Sequence, residues 1–233
     1  MLRLCCAVVL LWAVGAQAVC TREFKTMSRE VPQDTAWVQQ VFAEAGCRLI
    51  VLPQAERILD RIWSMKIGEI DFISAATPLP ERLEFARFSI PYTRERVVVV
   101  AHQAVAAESR LQRMVDLISS QRPVIGPHFG YYGPDWPAIK AQLQQADRFR
   151  AYKSWPSARG MLLRKPESLL LVVEDAANDI VRNAPLPLTI LPTPLFESDV
   201  VFMFSRKTVS ADDVELINAA IRRIQARQSA RTP

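Results

Sequence analysis

Helical stretches and short β-rich runs alternate along most of this sequence, and this alternation is the strongest constraint on its fold. Helical periodicity at residues 54–66 is followed by Gly68 and by a β-rich run at residues 70–74, and the same order recurs further along the chain. Alternation of this kind is typical of α/β proteins, in which helices cover a largely parallel sheet. The sequence predicts strands at residues 48–52, 70–74, 96–101, 123–126, 149–152, 169–173, 188–191 and 199–205.

The remaining helical patterns complete the prediction of an α/β fold with two lobes. So many strands would make an unusually large single sheet. No Pro/Ser-rich linker separates the two halves, so we expect two lobes that are joined by strands. The four consecutive valines within residues 96–101 predict a strand that is buried on both faces of a largely parallel sheet. Besides residues 54–66, helices are predicted at residues 34–45, 108–119, 136–145, 157–164, 176–183 and 210–227, the last with Ser210 as N-cap and Asp213 at the capping-box position.

Composition and charge exclude several classes of function. The formal net charge is +5, from 29 Lys and Arg against 24 Asp and Glu, and no dense basic run with interleaved aromatic residues is present. A nucleic-acid surface is therefore not expected. His102 and His128 are the only histidines and neither has a spaced partner, so no metal site is predicted. The sequence also has no nucleotide-binding or phosphate-loop fingerprint, and we expect no cofactor.

The N-terminus has the order of segments that is typical of a secretory signal. Met1-Leu2-Arg3 precedes an apolar stretch from Leu4 to Val14, and Ala16-Gln17-Ala18 follows as a cleavage site. We therefore expect residues 1–18 to be a signal peptide. The residue three positions before Cys20 is Gln17, where a lipoprotein signal has Leu or a similar residue, so cleavage is favoured over lipid anchoring.

Export changes the meaning of the cysteines. Cys5 and Cys6 leave with the signal, and the mature chain keeps Cys20 and Cys47. One pair in an oxidising compartment predicts a disulfide between them, and two separate thiols are the alternative.

The segment from Gly68 to Tyr92 carries the clearest sign of a binding site. A buried strand ends at Ser74, and a short polar connection leads through Thr77 to a proline-primed turn at Pro80-Glu81-Arg82. Such a connection at the carboxyl end of a parallel strand faces the ligand crevice. The planar fork of Arg82 suits a carboxylate, and Thr77 adds a hydroxyl. The alternative is that Arg82 pairs with Glu81 or Glu84 on the surface.

The same segment resembles the signature of the family 3 extracellular solute-binding proteins, the polar amino-acid binders of ABC importers. The resemblance rests on Gly68 and Asp71, on Thr77 five residues before Arg82, and on the run Phe88-Ser89-Ile90-Pro91-Tyr92. It implies a type II periplasmic-binding fold, in which each lobe has a central mostly parallel sheet flanked by helices. It also implies that Arg82 and Thr77 bind the α-carboxylate of a ligand, and Ser74 is included as a candidate beside them.

The resemblance further implies a periplasmic, monomeric binding protein that closes on its ligand by hinge motion and serves an ABC permease. The lobes are expected at residues 19–95 plus 199–233 and at residues 96–198, with the hinge near residues 94–96 and 197–199. Two alternatives remain open. One is a dehydratase-like enzyme on the same fold, with Glu174 or Asp175 as its acid, and the other is a degenerate or sensory module.

The second lobe departs from the family pattern. Where family members have a Gly-Ser/Thr turn, this chain has a glycine-rich loop that contains Tyr131 and Tyr132. These tyrosines are candidates for the pocket wall, and a structural role in a tight loop is the alternative. An acid after a late strand normally binds the ammonium group of the ligand in this family. Asp175 fits that position best, Glu174 is the second choice, and a helix N-cap is the alternative for Asp175.

Overall fold

The computed structural model describes residue 20 and residues 22–27, 32–53 and 58–230, without the side chains of residues 32–35 and 58–60. The predicted signal peptide lies outside the described residues. A 3-10 turn lies at Pro80–Arg82. The elements in chain order are β1 Glu23–Met27, α1 Pro32–Glu44, β2 Arg48–Leu52, α2 Ile58–Ile67, β3 Phe72–Ala76, β4 Ala86–Phe88, β5 Thr93–His102, α3 Gln103–Glu108, α4 Asp116–Ser119, β6 Val124–Pro127, α5 Trp136–Gln145, β7 Phe149–Tyr152, α6 Trp155–Arg164, β8 Leu169–Val173, α7 Glu174–Arg182, β9 Leu188–Ile190, β10 Phe196–Ser205 and α8 Ala211–Ser229.

The two longest strands, β5 and β10, have ten residues each and pair with each other inside the main sheet. The main sheet has the order β3-β10-β5-β8-β6-β7, with β4 paired to β10 and β9 paired to β5. The first half of β10 pairs with β5, and its second half pairs with β3 and β4. Strands β1 and β2 form a parallel pair beside β3. The N–H of Asp71 donates to the carbonyl of Lys25 at 2.8 Å, which joins this pair to the start of β3.

The buried apolar residues form separate cores on either side of the region in which β5 pairs with β10. Two clusters draw only on residues 20–92 and 200–224, and two others draw only on residues 97–196. We call the first part lobe 1 and the second part lobe 2. Lobe 1 has an aromatic centre in which Phe72 stacks on Phe42 at 4.7 Å and meets Phe202 edge-on at 5.6 Å. The chain therefore passes between the lobes only within β5 and β10, as expected from the absence of a flexible linker.

Asp71 of the Gly-x-x-Asp motif has a structural role. Its carboxylate is largely buried and accepts the N–H of Lys25 at 2.8 Å and the guanidinium of Arg22 at 3.0 Å. Arg22 also pairs with Asp213 at 2.7 Å, at the start of α8. Gly68 ends α2 with a φ of +88°, a conformation that L side chains rarely adopt. The motif thus turns the chain into β3 and fixes β1 and α8 against it.

The predicted disulfide is present. Cys20 and Cys47 are joined with an Sγ–Sγ distance of 2.10 Å and a Cα–Cα distance of 4.9 Å. The bond ties the chain before β1 to the turn between α1 and β2.

Two details of the predicted secondary structure are wrong. The strand predicted at residues 96–101 is buried on both faces, but β5 pairs antiparallel with β8, β9 and β10. Parallel pairing joins β1 to β2 and joins β6 to β7 and β8, whereas β3 and β4 are also antiparallel to β10. Of the helix predicted at residues 108–119, only Glu108, the last residue of α3, and the short helix α4 at Asp116–Ser119 are helical, and residues 109–115 are not. Asp116 accepts the N–H groups of Gln112 and Arg113 at 2.9 and 2.8 Å, and these groups are thereby lost to a continuous helix.

Glu44 joins the end of α1 to α8 and predicts a pH-dependent contribution to stability. Its carboxylate accepts from Arg227 at 2.6 Å and from Arg223 at 2.7 Å, and its side chain is 22% exposed. Hydrogen bonds from Arg227 and Arg223 lower the pKa of Glu44 to about 2. Because this pKa lies below that of the unfolded chain, the contribution is present above about pH 4.5 and is lost as the pH falls towards 2.

Glu44→Gln is therefore expected to lower the free energy of unfolding by about 1 kcal/mol at pH 7, with the partial exposure of the pair limiting its size. Urea denaturation of both proteins between pH 7 and pH 2 measures the difference, which should shrink at acid pH. Glu108→Gln is the matched control, because Glu108 pairs with Arg122 but its side chain is 71% exposed. A difference that stays constant down to pH 2 would contradict the assignment to this ion pair.

Candidate functional site

A cleft lies between the lobes, beside the residues at which β5 pairs with β10. Its lobe 1 side includes Ala75 at the carboxyl end of β3 and Tyr92 before β5, and its lobe 2 side includes Trp155, Glu174 and Asp175. Strands β5 and β10 form the floor of the cleft. The remaining residues along the cleft are Thr93, Arg94, Glu95, Arg96, Val173 and Val200.

Arg82 and Thr77 lie together in lobe 1, directly after β3. The guanidinium of Arg82 donates from Nη1 to the carbonyl of Thr77 at 3.1 Å, and both side chains are half-buried. In the described part of the chain no carboxylate lies within 4.0 Å of Arg82, so the expected alternative of an ion pair with Glu81 or Glu84 is not found. Burial lowers the pKa of Arg82 from its usual value, and the charge of Glu81 acts in the opposite direction. A half-buried guanidinium with spare donors can accept an anion.

Asp175 and Glu174 begin α7, directly after β8, and both line the cleft in lobe 2. The N-cap of α7 is Val173, without a side-chain cap, so the alternative that Asp175 caps this helix is wrong. Asp175 is exposed, and none of the described cations pairs with it within 4.0 Å. Its carboxylate is therefore open to a cationic group in the cleft.

Arg96 holds the floor of the cleft to both neighbouring elements. Its Nη1 lies 2.9 and 3.2 Å from the two carboxylate oxygens of Glu174, and its Nε donates to Glu197 of β10 at 3.0 Å. Arg94 pairs with Asp199 at 3.4 Å, one step along the same two strands. Arg94 and Arg96 thus have carboxylate partners. Among the described residues, neither Arg82 nor Asp175 has an ion-pair partner within 4.0 Å.

Solved structures share this arrangement of two lobes about a cleft. The chain is similar to the GluR0 ligand-binding core in complex with L-glutamate, with a TM-score of 0.72, 16% identity, and coverage of 89% of this chain and 94% of that chain. It has the type II periplasmic-binding fold. A mutant of ArgBP from T. maritima gives a TM-score of 0.67 at 18% identity, with 89% and 91% of the two chains covered.

A third similar structure is that of the arginine-, lysine-, histidine-binding protein ArtJ from Geobacillus stearothermophilus. Its TM-score is 0.67 at 16% identity, with 89% of this chain and 91% of that chain covered. No protein-family model and no curated protein matches the sequence. The predicted fold class is confirmed, and at these identities the likeness concerns the fold alone.

Of the predicted site residues, Asp175 lines the cleft, as does the second choice Glu174. Thr77 and Arg82 follow the cleft residue Ala75 along the chain but are not part of the lining itself, and Ser74, Tyr131 and Tyr132 also lie outside it. Ser74 is buried within β3, and its neighbour Ala75 lines the cleft. Tyr132 belongs to the core of lobe 2, where its hydroxyl lies 3.4 Å from that of Tyr152. Burial raises the pKa of Tyr152 to about 12, as expected for a phenol inside a core. Tyr131 packs edge-on against Phe196 of β10 at 5.7 Å, which fits the structural alternative for this loop.

Trp155 and Arg96 border the cleft but were not among the predicted site residues. Trp155 is the first residue of α6, whose capping box is made by Ser154 and Ser157, and it supplies an aromatic side chain to the lobe 2 side of the cleft. Its signal in the sequence is a Trp-Pro pair just after a strand, at residues 149–152, that was correctly predicted. The signal for Arg96 is the alternation Arg94-Glu95-Arg96 at the start of a buried strand.

The described residues contain neither a metal site nor a membrane-spanning helix. Within them, no three His, Cys, Asp or Glu side chains come together in a way that could hold a metal ion. Likewise, the described helices lack one that is both long and apolar enough to cross a bilayer.

Proposed function

We propose that this chain is a periplasmic solute-binding protein of the family 3 type, and that it captures a small ligand with a carboxylate, in the first place an amino acid. The observation that carries the proposal is a pair of opposite charges, the half-buried Arg82 on lobe 1 and Asp175 on the lobe 2 wall of the cleft, neither of which has an ion-pair partner within 4.0 Å among the described residues. An amino acid carries the complementary pair, a carboxylate and an ammonium group. The names of the structural neighbours, which include an ancestral arginine-binding protein bound to glutamine, support this class of ligand.

The roles of the site residues follow from their chemistry. Arg82 binds the carboxylate through its planar fork, and the Thr77 hydroxyl adds a hydrogen bond. Asp175 binds the ammonium group, and Trp155 offers an aromatic face to the rest of the ligand. Because the two charges belong to different lobes, a ligand that satisfies both stabilises a closed arrangement.

We propose that the two lobes close by a hinge motion within β5 and β10, where the chain passes from one lobe to the other. We place lobe 1 at residues 19–95 plus 199–233 and lobe 2 at residues 96–198, with residues 1–18 as a signal peptide. The division of the cores supports these limits, because Tyr92 and Val200 pack in lobe 1 whereas Val97 and Phe196 pack in lobe 2. Export to the periplasm as a monomer and delivery to an ABC permease belong to the same proposal.

Binding without catalysis is the proposed role of the two acids. Both carboxylate oxygens of Glu174 lie within hydrogen-bonding distance of Nη1 of Arg96, so this carboxylate already has a charged partner within the protein. Asp175 is exposed, whereas a general acid of an enzyme usually lies in a desolvated pocket.

A thermal-shift screen of the protein from Val19 onward, against the 20 amino acids and small organic acids, tests the proposal. A ligand at about 100 times its Kd stabilises the folded state by roughly 2.7 kcal/mol, which moves the melting temperature by several degrees. Each hit is then compared with its α-amide, which keeps the ammonium group and loses the carboxylate charge. We expect the amide to give no shift. A panel without any hit, or an amide that binds as well as its acid, would count against the proposed function.

A further inference from the structure

The end of β3 contains a bulge at the wall of the cleft. Against β10, Ile73 is opposite Met203 and Ala76 is opposite Val201, so Ser74 and Ala75 together oppose the single residue Phe202. Ala75 has a φ of +49°, in the left-handed region that residues with a Cβ rarely adopt. A bulge also leaves the extra residue without its partner in the ladder. Two unfavourable features therefore meet at one alanine, directly before the segment that holds Thr77 and Arg82.

The side chain of Tyr92 supplies the missing partner. The N–H of Ala75 donates to the hydroxyl oxygen of Tyr92 at 2.8 Å. The ring of Tyr92 is largely buried and stacks between Trp37, at 4.9 Å, and Phe202, at 4.6 Å. Its hydroxyl is thus fixed in position by packing on both faces of the ring.

The run from Phe88 to Tyr92 is hydrogen-bonded to β10, the strand opposite the bulge. The N–H of Phe202 donates to the Ser89 hydroxyl at 2.9 Å, and the Phe202 carbonyl accepts the N–H of Ser89 at 3.0 Å. The N–H of Tyr92 donates to the Val200 carbonyl at 3.0 Å. This run therefore fixes both Phe202, which faces the bulge, and Tyr92, which pairs with the bulged residue.

We propose that Tyr92 is a positioning residue: its hydroxyl holds Ala75 in the left-handed conformation and so directs the chain from β3 into the segment Thr77–Arg82. The inference rests on the proposed function for the claim that this segment binds the carboxylate of the ligand. The hydrogen bond from Arg82 to the Thr77 carbonyl depends on the course of the chain in this segment. Tyr92 acts on the site through Ala75, although its ring also borders the cleft.

Hydrogen exchange in the free protein tests the inference without any ligand. The amides to follow are those of Ala75, bonded to Tyr92, and of Arg82 and Leu83, bonded to the carbonyls of Leu79 and Pro80 at 3.0 and 3.1 Å. Tyr92→Phe keeps the ring and removes the acceptor, and we expect exchange at all three amides to accelerate by about tenfold or more. Tyr152→Phe is the matched control, since it removes a buried hydroxyl from lobe 2, and it should change these rates by less than about twofold.

Rescue by glycine separates positioning from a general loss of stability. Glycine adopts positive φ without a steric penalty, so adding Ala75→Gly to Tyr92→Phe should restore slow exchange at Arg82 and Leu83 to within about threefold. The amide of residue 75 itself should remain fast, because its acceptor is still absent. Unchanged rates at Arg82 and Leu83 in Tyr92→Phe, or rates that glycine does not rescue, would overturn the inference.

Affinity for the tightest-binding amino acid of the thermal-shift panel gives the second measurement. Tyr92→Phe should weaken it by about tenfold, and Ala75→Gly should recover most of the loss. Exchange that behaves as expected in a protein that binds no carboxylate supports the role of Tyr92 in holding the segment and counts against the proposed function alone.

Discussion

Arg82→Ala is expected to weaken binding of the best amino-acid ligand by between about 30-fold and 1,000-fold. Removal of one partner from a desolvated, hydrogen-bonded charge pair costs about 2–4 kcal/mol, because the carboxylate of the ligand is then left in the cleft without a counter-charge. The free protein should keep its stability, since among the described residues Arg82 has only the Thr77 carbonyl as a hydrogen-bond partner. Isothermal titration of the wild type and the variant measures the loss.

Two further variants sharpen this result. Arg82→Lys keeps the charge but loses the planar fork, so it should recover only part of the affinity. Arg110→Ala is the matched control, because Arg110 is exposed on lobe 2 and donates to the carbonyls of Ala107 and Ser109. Wild-type affinity in Arg82→Ala would remove Arg82 from the site and with it the main support for carboxylate recognition.

Loss of the disulfide is expected to lower the free energy of unfolding by about 2–4 kcal/mol. Cys20 and Cys47 are separated by 27 positions, and the chain-entropy relation for a loop of this size gives about 3.5 kcal/mol at 25 °C. The bond also fixes the start of the described chain next to β1, which lies beside β3 and the cleft wall. Urea denaturation of the variant with both Cys20→Ala and Cys47→Ala, compared with the wild type under oxidising conditions, measures the effect.

Reduction supplies the internal control for this experiment. A strong thiol reductant should bring the wild type close to the stability of the double variant and should leave the double variant unchanged. Equal stability of the two oxidised proteins would mean that the crosslink contributes nothing.

Local signals in the sequence were sufficient for many elements. The strands Arg48–Leu52, Phe149–Tyr152 and Leu169–Val173 and the helix Trp136–Gln145 have the predicted bounds. The capping box of Ser210 and Asp213 at the start of α8 is also present. In each case the pattern of apolar residues or the capping side chain acts within a few residues of the element that it defines.

The same local reasoning fails where a pattern is compatible with more than one path of the chain. Leu111, Met114 and Leu117 are buried at the spacing of a helix face, which is compatible with the single helix predicted at residues 108–119. The spacing is real, but the side chain of Asp116 takes the backbone donors that a helix would need. In β5, periodicity and burial gave a strand but could not give its direction, because direction depends on which strands lie beside it.

The sequence by itself determined the α/β class, the pairing of Cys20 with Cys47, and the segment in which Thr77 and Arg82 lie together, because each depends on residue types at short or fixed spacings. Only the tertiary structure decided that Arg82 has no ion pair in the described chain and that Trp155 and Arg96 border the cleft. The positive φ of Ala75 and the hydrogen bond from its N–H to the Tyr92 hydroxyl were likewise found only in the tertiary structure. These features depend on contacts between residues far apart in the chain, so the packing of the lobes around β5 and β10 fixes them, and no local pattern carries them.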